Sequence, residues 1–261
     1  MKNNQVAVWK DYSLSFDRTE NIKIADLNIF VKYSKLELGI AHFYSNAPVS
    51  KDDLVWHRWP LESETAALRI SPCLPDRSIL VRPESTIILP KKSHRTVFVR
   101  FPISAKLILV SKKTQVDLIE LPTVILSKTW FGDYKEGELC YSITSGTRSE
   151  TKPDPQRTYM AICPLKLKNT GEDSFSVDKI CLRTEYFSLY ADENQLWTDE
   201  MEIIYEGQNE TSAIKLRGKA PYAAKNAKIV AHPRSTLQKA LSFRTFSSIK
   251  DLYAAGISAI K

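Results

Sequence analysis

The chain has 261 residues, 43% of them hydrophobic and 26% charged, which suffices for one large domain or two small ones with a buried core. Its 8 glycines are outnumbered by 13 prolines, which counts against Gly-rich phosphate loops and against long helices. The formal net charge of +7 is segregated. From Arg217 onward nine basic residues face one acid, Asp251, a net +8 that leaves the rest at −1, so the body is not a basic nucleic-acid-binding domain.

Met1 to Trp9 lacks the apolar core of a signal peptide, and no run approaches the ~18 apolar residues of a membrane span. A cytoplasmic protein is the expectation. Period-two alternation then dominates. Leu27, Ile29, Val31 and Tyr33 form one stripe, and Leu36, Leu38, Ile40, His42 and Tyr44 a second. Side chains on a strand alternate between faces, so each stripe should cover a core. Trp56-His57-Arg58-Trp59 is the densest aromatic and basic cluster. On a strand Trp56 and Arg58 share one face, and His57 and Trp59 the other. Trp and Arg anchor many binding surfaces, although a tryptophan here can equally fill the core.

Val97, Val99, Phe101 and Ile103 make a further stripe. Gly132, Asp133, Gly137 and Cys140 lie in the next segment. They read as a tight turn, with Asp133 bonding local backbone, Gly137 at positive φ and Cys140 pointing inward. The sharper reading makes Cys140 a nucleophile, but no base accompanies it in sequence. Ser145 to Thr158 is polar with two prolines and reads as an exposed loop. Asn169-Thr170-Gly171-Glu172-Asp173 is a hairpin or inter-strand turn between Leu165-Lys166-Leu167 and Phe175-Ser176-Val177. Asp199, Glu200 and Glu202 read as a solvated surface group, ahead of the stripe Met201, Ile203 and Tyr205. From Ser235 the apolar residues Leu237, Ala240, Leu241, Ile249 and Leu252 recur near helical spacing, with Lys239, Arg244 and Lys250 off the stripe.

These elements predict an all-β protein of two packed immunoglobulin-like β-sandwich units, residues 1–125 and 126–219. Residues 220–261 form a basic linker and short C-terminal helix. The cysteines Cys73, Cys140, Cys163 and Cys181 show no C-x-x-C spacing and read as reduced structural thiols. The four histidines lack ligand spacing, so neither a metal site nor a cofactor is expected.

Two stretches resemble a prokaryotic family, domain of unknown function 432. One is Leu89-Pro90-Lys91-Lys92-Ser93-His94-Arg95-Thr96-Val97-Phe98-Val99-Arg100-Phe101-Pro102-Ile103, a proline-started strand ending in Phe-Pro. The other is Trp130-Phe131-Gly132-Asp133-Tyr134-Lys135-Glu136-Gly137-Glu138-Leu139-Cys140-Tyr141, an aromatic-Gly-Asp turn, a second glycine and an apolar-Cys pair. Tyr141-Ser142 stands where the family usually has Arg-Tyr. The resemblance covers 69–218 and implies an all-β body with no assigned reaction.

The leading functional expectation is a noncatalytic binding or assembly module. Its contacts would be Trp56, His57, Arg58 and Trp59 together with Lys239, Arg244 and Lys250. The expected partner is a protein or a second copy, then an anionic membrane surface, then nucleic acid. The alternative is a hydrolase-like enzyme with a dispersed site between the two β units, drawing on Asp133, His57 and Cys140.

Overall fold

The structure, a computed structural model, describes residues 8–34, 37–45, 54–61, 66–111, 114–135, 137–145, 149, 154, 156–192, 195–206, 212–235, 242–243 and 246–247. Its strands begin with β1 (Asp11–Ser13), β2 (Thr19–Ile24), β3 (Leu27–Ser34), β4 (Glu37–Tyr44), β5 (His57–Pro60), β6 (Ala66–Cys73), β7 (Ile79–Pro83) and β8 (Ile87–Leu89). They continue with β9 (His94–Pro102), β10 (Ser104–Ser111), β11 (Gln115–Pro122), β12 (Ser127–Phe131), β13 (Glu138–Ser145), β14 (Met160–Asn169), β15 (Phe175–Val177) and β16 (Lys179–Leu182). The last are β17 (Leu189–Ala191), β18 (Leu196–Thr198), β19 (Met201–Tyr205), β20 (Ser212–Leu216), β21 (Lys228–Ala231), β22 (Ser242–Phe243) and β23 (Phe246–Ser247). Apart from Val8, in 3-10 conformation at the start of the described residues, the helical pieces among them are 3-10 turns at Thr184–Tyr186 and Tyr222–Ala224. The molecule is therefore almost entirely β, in several sheets.

The chain forms two compact units, and neither is a continuous segment. The first comprises Met1–Cys73, Pro102–Ile125 and Asp154–Tyr159; the second comprises Leu74–Phe101, Leu126–Pro153 and Met160–Lys261. Leu126 is thus one of several crossing points, and Leu74–Phe101 groups with the later residues instead of with 1–125.

In the first unit one sheet runs β1-β6-β10-β11 and the other β2-β3-β4-β5, with antiparallel pairing throughout. The stripe Leu27, Ile29, Val31 and Tyr33 on β3 joins Leu38 and Ile40 on β4 in one core with Leu68, Ile70, Ala105 and Leu107 from the other sheet. Each such leucine or isoleucine contributes about 1.5–3 kcal/mol on burial. Alternation leaves the opposite face of β2–β5 to polar side chains such as Thr19, Lys32 and Glu37.

The second unit holds the sheet β12-β13-β7-β16-β23, the pair β15-β8, and the sheet β21-β17-β18-β14-β19-β20-β22, to which β9 adds through β14. Uniformly antiparallel pairing does not hold here. β13 runs parallel to β7, and β14 runs parallel to both β18 and β19. Alternation reports which face a side chain takes, not which way the neighbouring strand runs.

Other expectations need correction. Of the two readings of the turn after Asn169, the inter-strand turn holds, joining β14 to β15, and the hairpin does not, because β15 pairs with β8 and β14 pairs elsewhere. Asn169 itself is buried and holds the turn: its amide donates to the carbonyls of Leu89, Pro90 and Asp173, and its oxygen accepts from Gly171 N–H. Asp199 is not solvated but 1% exposed, accepting from Ser188 N–H and the Tyr190 hydroxyl. Those bonds hold the carboxyl in the core, and burial pushes its pKa above the usual carboxylate value. Where the expected C-terminal helix falls on described residues the backbone is extended: Ser242–Phe243 pairs with β20 and Phe246–Ser247 with β16. Lys239, Arg244 and Lys250 lie outside the described residues.

Candidate functional site

The first candidate lies on the outer face of the β2–β5 sheet. β5 is its edge strand and pairs with β4, with Arg58 opposite Gly39 and His57 opposite Ile40. The parity expected from sequence follows. Trp59 packs against the core. Trp56 and Arg58 face outward and line a hollow of about 330 Å³ with Asp17, Thr19, Lys32, Ser34, Glu37 and Gly39. Gly39 is the floor: a Cβ there would stand 3.1 Å from Cε3 of Trp56, so a larger residue would push the indole outward by a few tenths of an ångström. Glu37 receives Arg58 Nη1 at 3.4 Å, with both side chains largely exposed. Two cations and two anions thus surround one aromatic wall.

His57 sits apart from this hollow, in an aromatic row on the opposite face. Its ring stacks on His42 at 6.2 Å and lies 6.2 Å from Trp59, while Tyr44 meets His42 edge-on. Burial, then the neighbouring His57, holds the His42 pKa below its usual value.

The second candidate begins at the Gly132–Cys140 segment. Its turn is built locally. Gly132 takes φ +103°. The Asp133 carboxylate accepts from Lys135 N–H at 2.8 Å, and its carbonyl accepts from Gly137 N–H and the Trp130 indole. Gly137 is not at positive φ. It is glycine because a Cβ would overlap the Trp130 indole nitrogen and the Asp133 carbonyl oxygen.

Past the turn, β13 presents Glu138 and Cys140 on one face, since residues two apart on a strand point the same way. β16 presents Cys181 toward them, and Arg183, just past its end, reaches the same place. Donor atoms of Glu138, Cys140 and Cys181 all lie within 4.8 Å of one another. Both cysteines are 0% exposed and pack with Leu80 and Phe131. The Glu138 carboxylate is held on each oxygen: Arg183 Nη2 donates to Oε1 at 2.7 Å and Ser78 Oγ to Oε2 at 2.7 Å. Cys181 Sγ lies 3.7 Å from the same Oε1, and Cys140 Sγ lies 3.7 Å from the Glu138 carbonyl. The bond between the two thiols, reinforced by burial, raises the Cys181 pKa well above the usual thiol value; the same bond lowers that of Cys140.

The three residues of the hydrolase alternative are distributed: His57 belongs to the first unit, Asp133 and Cys140 to the second. Asp133 serves its own turn, and Cys140 faces the core, as the structural reading of that segment expects. All four cysteines are buried, and none is joined in a disulfide. Sequence reasoning missed Glu138, Cys181, Arg183 and Ser78 as a group. The legible part was the Glu-x-Cys spacing at 138 and 140, on one strand face, and the Cys-x-Arg spacing at 181 and 183. It likewise missed Lys32, Glu37 and Gly39 beside Trp56, because they come from other strands.

Among comparisons with known proteins, the family described as Protein of unknown function (DUF432) matches residues 8–250. The match is wider than the span 69–218 and takes in most of the basic segment. No curated protein matches the chain, and no solved structure does.

Proposed function

Because this chain belongs to the DUF432 family, whose description assigns no activity, we propose from its geometry that it is a noncatalytic binding module. The observation that carries the reading is the hollow walled by Trp56 and Arg58 on the outer face of β2–β5. Its floor is a sheet whose other face is the core, so the walls are held by a rigid element. Tryptophan and arginine concentrate binding energy when a partner excludes water from them. Two cations and two anions beside an indole suit an inserted side chain with both donors and acceptors, from a protein partner or a second copy. The two sheets of the first unit, sharing one core, support a sandwich of the kind that displays such surfaces. Lys239, Arg244 and Lys250 would add electrostatic attraction, to the same partner or to an anionic membrane surface. A cytoplasmic setting belongs to the same reading, with the cysteines kept as thiols.

The test is capture from native lysate on immobilised full chain, with mass spectrometry and nucleic-acid detection, beside Trp56→Ala and Arg58→Ala. The expected result is a partner held by the wild type and weakened at least tenfold by each substitution, with thermal unfolding unchanged. Equal recovery on all three chains would refute this placement of the site. Recovery of nucleic acid in its place, falling steeply with salt, would favour the basic segment.

A further inference from the structure

We propose that Glu138, Cys140 and Cys181 bind a divalent transition-metal ion of the zinc type. The donor set selects the ion class. Two thiolates exclude calcium and magnesium, which take oxygen ligands, and suit borderline-soft ions. The span also fits. Ligands at ~2.0–2.3 Å from a tetrahedral zinc lie about 3.5–3.8 Å from each other. The three donors, already within 4.8 Å, need to close by about 1.3 Å at most.

A disulfide is the competing use of two neighbouring thiols, and the topology opposes it. β13 and β16 lie on opposite sides of β7, so two strand spacings, about 9.6 Å, separate their backbones. A disulfide requires Cα atoms within ~7 Å, so joining the sulfurs requires a strand to move, whereas an ion between them does not.

The surroundings are those of a held ligand set. Ser78 and Arg183 fix the Glu138 carboxylate from either side, the usual way a ligating carboxylate is aimed. An ionised carboxylate offers about four acceptor positions, so Oε1 can keep Arg183 and also take the metal. Charge closes as well. Without metal, two neutral thiols, one carboxylate and one guanidinium sum to zero. On binding, two S–H bonds break and two protons leave to solvent. Two sulfur–metal bonds and one oxygen–metal bond form, and the buried cluster again sums to zero. Arg183 therefore offsets the carboxylate charge that a dithiolate divalent site would otherwise carry in excess. The sulfurs are fully buried while the Glu138 side chain is 34% exposed, so water can reach a fourth position from that side.

Cobalt(II) is the probe, titrated into reduced full-length chain. The expected result is one ion per chain, with thiolate-to-cobalt charge transfer, intense tetrahedral d–d bands and release of two protons per ion. Cys140→Ser and Cys181→Ser should each remove about half the charge-transfer intensity and weaken binding at least tenfold. Glu138→Gln should weaken binding about tenfold while keeping both sulfur bands, and Cys163→Ser should change nothing. If either serine variant fails to fold, the wild-type stoichiometry with Glu138→Gln and Cys163→Ser decides. Absence of charge transfer in folded, reduced wild type overturns the proposal. So does a band of undiminished intensity in folded Cys140→Ser or Cys181→Ser, or one that disappears in Cys163→Ser.

Discussion

Replacing Gly137 by alanine tests the turn that the family motif builds. A Cβ there would overlap both the Trp130 indole nitrogen and the Asp133 carbonyl oxygen, far inside the 3.0 Å that real Cβ contacts keep. One of the two obstacles is backbone, so rotating the indole away is not sufficient and the turn must open. Opening breaks the Gly137 N–H bond and the Trp130 indole bond to the Asp133 carbonyl, each contributing about 1 kcal/mol net. The expected loss is therefore about 2 kcal/mol. Differential scanning calorimetry should show it as a fall of about 4–8 °C in the transition of the second unit, at ~2–4 °C per kcal/mol. Trp130→Ala alone loses one exposed bond, about 1 kcal/mol or less. In the double variant the indole is gone and part of the strain with it, so the two effects should fall short of additivity by about 1 kcal/mol. A Gly137→Ala chain within 0.5 kcal/mol of wild type, or strict additivity with Trp130→Ala, would refute the reasoning.

Two predictions concern pH and charge in the first unit. Burial disfavours the charged form of His42, so its contribution to stability is complete above the ordinary value of 6.5 and is lost as pH falls through its lowered folded value. The urea midpoint should fall between pH 7 and pH 5, and His42→Phe, which keeps the ring stack, should flatten that slope; an unchanged slope would contradict it. Asp11 and Arg69 are cross-strand partners joined by two bonds, 2.6 Å from Nε and 2.9 Å from Nη2. Both side chains are at least a third exposed, so solvent screens the pair and a double-mutant cycle should return only about 0.5–1 kcal/mol. Arg69 holds the Asp11 pKa below 3.8, so this coupling persists above that pH and disappears as pH falls through the lowered value. A cycle returning the same coupling in fully acid solution would contradict it.

The parts of the fold that sequence reveals are those written along one strand. Leu27, Ile29, Val31 and Tyr33 are two residues apart, and a period of two has one structural meaning. The faces of Trp56 and Trp59 follow from the same rule. Strand direction and sheet order are written nowhere locally. β14 alternates in the same way whether β18 runs beside it or against it, so the parallel pairs were not legible. The sites fall on the same divide. Glu138 and Cys140 share one strand face and were readable as a pair; Cys181 reaches them only because β16 is the second neighbour of β13, across β7. The Trp56 hollow likewise needs Gly39 from β4 and Lys32 from β3. Asp199 was read as solvated because charge alone does not disclose that Ser188 and Tyr190 supply the bonds that let a carboxyl be buried.

The basic segment bears on how a partner could be held. A peripheral arm that inserts into lipid or follows phosphates has to be free to leave the body. Here Ser242 and Phe243 pair with Ala213 and Ser212 at one sheet edge, and Phe246 and Ser247 pair with Ile180 and Lys179 at the edge of another. Each pairing covers backbone donors and acceptors that an open edge would expose. Detaching the segment for a membrane would uncover both edges, and the family match to residue 250 is consistent with a segment that belongs to the second unit. Under the proposed binding function, contact is then left to surfaces that stand clear of the core. Of the candidates described, the Trp56–Arg58 face is such a surface, and the thiol cluster, with both sulfurs buried, is not.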